Sequence, residues 1–138
     1  MHDLPRQLSV DELAELFSGR TTFVERLALT KDPLGRAREV ARTLTAQEKL
    51  EALATHPRIG ERSSEQHGDE PVVLAELSAL NCAYEQKFGF RFIVFVNRRS
   101  RRELIPVLRE RLRQTPVDEL ETALDELVEI AKDRWSQR

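Results

Sequence analysis

Five helix-start signals mark this chain, each a serine or threonine three positions before an acidic residue: Ser9 with Glu12, Thr22 with Glu25, Thr45 with Glu48, Ser100 with Glu103, and Thr115 with Asp118. That spacing suits a helix start, because the hydroxyl can accept from the third helical N–H while the acid reaches back to the cap amide. Apolar residues then recur at intervals of three and four. Leu13, Leu16 and Phe17 follow the first signal and Leu50, Leu53 and Ala54 the third; Leu120, Leu124, Leu127, Ile130 and Ala131 follow the last, where Pro116 takes the favoured first helical position. A further helix is expected from near Pro71 through Leu74, Leu77, Leu80 and Tyr84 towards Lys87. A less amphipathic one is expected after Asp32 and Pro33, over residues 34–44. Pro106 falls inside the helix expected after Ser100 and should kink or delay it.

One stretch resists this pattern. Residues 88–96 are rich in aromatic and β-branched side chains and have the propensity of a buried strand, but no partner strand is visible. A lone strand leaves its backbone unpaired, so an extended passage through a helical bundle is expected, with amides free to meet a ligand. At 138 residues the chain is long enough to bury a core without staples. With no repeat, linker or low-complexity run, the expectation is an all-α fold: one helical-bundle domain over residues 1–138, with one extended, non-sheet segment near 88–96.

The single cysteine, Cys82, cannot form an internal disulfide and is expected to be a buried small apolar residue in a reducing, cytoplasmic setting. The first residues lack a signal-peptide pattern, and no apolar run approaches the roughly 18 residues of a membrane span, so no membrane association is expected. A net charge of −2 argues against a general nucleic-acid binder. The basic run Arg98, Arg99, Arg101, Arg102, Arg109, Arg111 and Arg113 has no interleaved aromatic residue for base stacking; an exposed helix face is expected there and no nucleic-acid partner.

The chemistry concentrates at His56. Proline disfavours the helical conformation in the residue before it, so Pro57 should place His56 at a helix exit, facing a loop. An imidazole with its ordinary pKa there could donate or accept a proton near neutrality. Between Gly60 and Pro71 lies a polar segment that is either a solvated loop or a return towards His56, bringing Glu65 as a second acid-base group and Gln66 as an amide for a polar heterocycle. His56, Glu61, Glu65 and His67 lack any recognisable metal-ligand spacing, so no metal is expected. A Gly-rich phosphate loop and a nucleophile elbow are both missing, which leaves acid-base work by His56 with carboxylate help and no cofactor.

Two segments, His56-Pro57-Arg58-Ile59-Gly60 and the run from Asn81 through Tyr84-Glu85, Lys87-Phe88-Gly89-Phe90 and Phe92-Ile93-Val94, resemble the signature blocks of 2-oxo-4-hydroxy-4-carboxy-5-ureidoimidazoline (OHCU) decarboxylases. Glu65-Gln66 and Ile130-Ala131-Lys132-Asp133-Arg134 are similar to two shorter blocks of that family, in the same order. The resemblance implies an all-helical, cofactor-free carboxy-lyase of urate and purine breakdown that yields S-allantoin from a small-molecule substrate. It implies that His56 is the catalytic acid-base residue and Glu65 its carboxylate partner. It further implies that Pro57 and Gln66 line the substrate, that backbone groups of Phe92, Ile93, Val94, Phe95 and Val96 bond its ring, and that Arg134 engages its anionic part. The family commonly forms dimers, so a homodimer is allowed, although no interface patch stands out. Eight residues separate His56 from Glu65, fewer than is common in the family, and Arg91 stands where the family often has proline. Two other readings stand beside this one: a helical enzyme acting on another cyclic ureide or carboxylated heterocycle, and a non-catalytic module binding a partner through the arginine-rich helix.

Overall fold

The computed structural model describes residues 7–56 and 71–137. Within them are seven helices: α1 (Val10–Phe17), α2 (Thr22–Ala28), α3 (Ala37–Arg42), α4 (Ala46–Ala54), α5 (Pro71–Phe88), α6 (Arg101–Arg111) and α7 (Pro116–Ser136). None of the described residues forms a strand. Ser9, Thr45 and Ser100 each complete a reciprocal capping box with the acid three residues on. Thr115 accepts from the Asp118 amide without a returned bond, and Pro116 opens α7.

Two expected starts are corrected. The cap of α2 is Thr21, not Thr22: the buried Thr21 hydroxyl accepts from Val24 N–H, while the Thr22 amide donates to Glu51 Oε1 at 2.9 Å. A carboxylate from α4 thus does the work that Glu25 was expected to do locally, and Glu25 pairs with Arg20. The helix expected over residues 34–44 is only α3. Asp32 takes a left-handed conformation (φ 52°), and a turn closed by Arg36 N–H on Asp32 C=O delays the helix. Pro106 delays nothing. Helix α6 begins directly after Ser100 and runs through Pro106, which faces outward where solvent can bond the carbonyl that its ring cannot.

The helices enclose two apolar clusters. One joins α1, α2, α3, α4 and α7, with Leu13, Phe17, Phe23, Leu27, Leu53 and Leu124 among its fully buried members. The other joins α5 and α6 through Val73, Leu77, Tyr84, Leu104, Ile105 and Leu108. Between them runs the extended passage, residues 91–96, with the period-2 alternation of a strand and no ladder. Phe92 and Val94 point into the second cluster and Ile93 into the first, so one segment serves both cores. Gly89 makes the passage possible: it ends α5 at φ 79°, donating to Glu85 C=O, where a side chain would be strained. At the far end Asn97 and Arg98 are both left-handed, a tight turn closed by Arg99 N–H on Val96 C=O that leads into α6.

Helix α5 buries Val73, Leu77 and Tyr84, which turns Leu74 (42% exposed) and Cys82 towards solvent. The expected burial of Cys82 is therefore wrong; it lies on the face opposite the buried stripe. Tyr84 reaches Glu119 Oε1 at 2.5 Å, and Arg111 also bonds that oxygen while stacking on the Phe92 ring 4.8 Å from its centroid. Burial pushes the Glu119 carboxyl up, against the pull of Tyr84 and Arg111. This polar knot ties α5, α6, α7 and the extended passage together inside the second cluster. The basic run is largely absorbed as well: Arg109 pairs with Glu76, Arg111 with Glu119, Arg113 with Glu110, and Arg99 caps the carbonyls of Phe95 and Val96.

Candidate functional site

Helix α4 ends at Ala54 with Thr55 as its cap, and His56 follows with its amide bonded to Leu53 C=O at 3.2 Å. The imidazole is partly buried, and its Nδ1 is enclosed without a hydrogen-bond partner. Burial, then the charges of Arg134 and Arg91, lower its pKa to about 4. Its expected titration near neutrality is thus corrected: at pH 7 His56 is an uncharged imidazole.

Arg134 comes from the last turns of α7. Its Nη1 donates to Leu16 C=O at 2.9 Å and to Ser18 Oγ at 2.7 Å, at the end of α1. Ser18 can present its hydroxyl there because it takes the left-handed cap conformation (φ 67°). The next residue, Gly19, lies so close to the α4 exit that an added Cβ would stand 2.8 Å from Thr55 Cβ and Cγ2. Glycine therefore lets the Ser18–Arg134 pair approach His56. The second cation, Arg91, donates from Nη1 to the His56 carbonyl at 2.8 Å. It shares the side of the extended passage that carries Ile93, turned towards the first cluster.

The passage itself divides. The side chains of Phe92, Ile93 and Val94 are buried, and no backbone hydrogen bond joins these three to another described residue. Phe95 and Val96 differ: Phe95 N–H donates to Glu126 Oε1 at 3.1 Å, and both carbonyls accept from Arg99. Pro57, Glu65 and Gln66, expected to complete the site, lie outside the described residues. Sequence reasoning did not place Arg91 or Glu126 here. The available signals were the odd-numbered alternation with Ile93 for Arg91 and, for Glu126, a position two i+4 steps before Arg134 on α7.

Chemically, the arrangement sets a neutral, partly desolvated imidazole beside two guanidinium groups and a stretch of backbone that bonds no other described residue. That is equipment for an anionic heterocycle and a proton transfer. Among the described residues no three His, Cys, Asp or Glu side chains gather in a way that could hold a metal ion, and no helix is long and apolar enough to cross a membrane. An open groove on the outer face of α4 offers little chemistry, since its acids Glu48 and Glu51 are engaged at the starts of α4 and α2.

The family model described as OHCU decarboxylase matches residues 2–136. The chain is 31% identical over 105 residues, 64% of its length, to the Arabidopsis thaliana protein named uric acid degradation bifunctional protein TTL, of which the match covers 32%. A Bacillus uric acid degradation bifunctional protein is 29% identical over 72% of this chain and 22% of its own. The chain thus spans about a third or less of these two longer relatives. The 2-oxo-4-hydroxy-4-carboxy-5-ureidoimidazoline decarboxylase of Haloferax volcanii is 28% identical over 94% of this chain and 88% of that protein. Among solved structures, an OHCU decarboxylase crystallised in the presence of (S)-allantoin superposes with a TM-score of 0.78 and 28% identity, covering 91% of this chain and 96% of the other. An (S)-allantoin synthase shares the fold at a TM-score of 0.70 and 21% identity, covering 91% of this chain and 47% of that one.

Proposed function

We propose that this chain, which belongs to the OHCU decarboxylase family, is a carboxy-lyase that converts 2-oxo-4-hydroxy-4-carboxy-5-ureidoimidazoline to S-allantoin in urate breakdown. The observation that carries the reading is the placement of His56: a signature-block histidine, partly buried and neutral, with an unbonded Nδ1 flanked by Arg134 and Arg91. Breaking the bond to the carboxylate releases carbon dioxide and leaves an electron pair that the conjugated ring takes up. A proton must then reach the ring carbon. Because His56 is uncharged at pH 7, it first accepts a proton from a polar group of the substrate and returns it to carbon, a shuttle and not a standing acid. Arg134, fixed by Leu16 and Ser18, holds the anionic part. The amides of Phe92, Ile93 and Val94, which bond no other described residue, meet the ring, and Phe95 and Val96 contribute once Glu126 or Arg99 yields its bond.

Glu65 as the carboxylate partner of His56, Pro57 and Gln66 as lining residues, a single domain, a homodimer and a cytoplasmic setting belong to the same proposal. The arginine-rich helix lends no support to a partner-binding module, since Arg109, Arg111 and Arg113 are paired within the chain. The deciding measurement is stereospecific allantoin formation from freshly generated substrate. The unmodified protein should accelerate it, and His56→Ala should lower kcat by about 10²- to 10⁴-fold with the fold intact. No acceleration, or an unchanged rate in His56→Ala, rejects the assignment.

A further inference from the structure

We propose that Arg91 is a second carboxylate-binding group of this site, gripping the substrate's carboxylate together with Arg134. This rests on the decarboxylase reading above and adds a residue that determines which ureides bind. Eight other arginines meet acids: Arg20, Arg26, Arg36, Arg38, Arg42, Arg109, Arg111 and Arg113 all stand in ion pairs. Arg91 and Arg134 form no ion pair with a described residue, Arg134 feeling only the charge of its sequence neighbour Asp133, although both are partly buried, where an unneutralised charge is costly.

Their protein contacts explain the arrangement. Each spends only Nη1 on protein oxygens: the His56 carbonyl for Arg91, and Leu16 C=O with Ser18 Oγ for Arg134. Those bonds fix both guanidinium planes and leave Nε and Nη2 of each without a partner among the described residues. The enclosed, unbonded Nδ1 of His56 lies beside them. Two oriented cations and one orphaned polar atom, with no carboxylate of the described residues bonded to any of them, form a site that a small anion completes, and planar guanidinium donors match a carboxylate best. The reaction then removes the very group they hold. The ring-to-carboxylate bond breaks, neutral carbon dioxide leaves, and a proton quenches the retained electron pair, so the product ureide carries no charge for the pair to grip. Substrate is held and product released by the same two residues.

Because negative charge flows from the carboxylate into the ring on the way to the transition state, Arg91 should contribute mainly to ground-state binding. Arg91→Gln keeps a donor for the His56 carbonyl and removes the charge. It should raise KM about tenfold and change kcat less than about threefold. Hydantoin-5-acetate and uncharged hydantoin, used as competitive inhibitors, isolate the carboxylate. Arg91→Gln should weaken the former about tenfold and leave the latter unchanged, and Arg91→Lys should recover part of the loss. Unchanged KM with unchanged hydantoin-5-acetate inhibition overturns the proposal, as does equal weakening of both inhibitors, which would mark Arg91 as an anchor of His56 alone. If the unmodified protein releases no carbon dioxide from the ureidoimidazoline, the decarboxylase reading falls. Calorimetric titration of hydantoin-5-acetate and of hydantoin into the unmodified protein and Arg91→Gln then still decides the role of Arg91.

Discussion

At the scale of single residues, the unusual quantity is the charge state of His56. Burial and two neighbouring cations favour its neutral form and hold its pKa at about 4 in the folded protein, against 6.5 as the ordinary value. Between these two values the unfolded chain binds a proton that the folded chain refuses, so stability rises with pH across that window and flattens outside it. The contribution is at most about 3 kcal/mol. Urea melts from pH 4 to 7 should therefore show a steeper loss of stability on acidification in the unmodified protein than in His56→Gln, with the two differing least in slope above pH 6.5. Parallel curves would mean that the imidazole stays hydrated. The position of His56 at a helix exit was legible in the sequence, because one proline dictates it. Its electrostatics were not: Arg91 stands 35 residues away and Arg134 on the last helix, and only tertiary packing brings them together.

At the scale of elements, local chemistry was legible where it was sufficient. Ser9, Thr45 and Ser100 cap helices that start where the three-residue spacing puts them, since each cap draws on its own helix alone. The reading failed at α2 because Glu51, from another helix, takes the Thr22 amide and leaves the capping to Thr21. The consequence is a clean contrast. Thr21→Ala, which removes a buried cap, should cost about 1–2 kcal/mol in chemical denaturation, whereas Thr22→Ala should cost less than about 0.5 kcal/mol. Equal costs would return the cap to Thr22. The knot of Tyr84, Glu119 and Arg111 escaped notice for the same reason as the α2 cap, as its members belong to three helices. Glu119→Ala should cost about 3–5 kcal/mol, because it strands the Arg111 charge beneath Phe92. Tyr84→Phe should cost only about 1–2 kcal/mol, since Arg111 still neutralises Glu119. A reversed order would show that the phenol, and not the ion pair, holds α5 to α7.

At the scale of the whole molecule, the extended passage was expected as irregular backbone inside a bundle, and its aromatic and β-branched residues are explained by having two cores to serve. Phe92 and Val94 fill the α5–α6 cluster while Ile93 fills the other, so the passage acts as a shared wall whose alternation mechanically couples the two halves. The single tryptophan, Trp135, packs against the first cluster and gives that half its own optical signal, whereas far-ultraviolet circular dichroism reports all helices. Leu104 is fully buried in the second cluster, and Leu104→Ala should cost about 2–5 kcal/mol through the cavity it leaves. If the passage couples the clusters, the tryptophan and helix transitions in urea coincide in the unmodified protein and move together in Leu104→Ala, although the substitution lies in the half that the tryptophan does not touch. A tryptophan transition that stays in place while the helix signal melts early would mean that Ile93 and its neighbours separate the halves instead of joining them. The wall of the His56 site would then loosen without loss of the α1–α4 core.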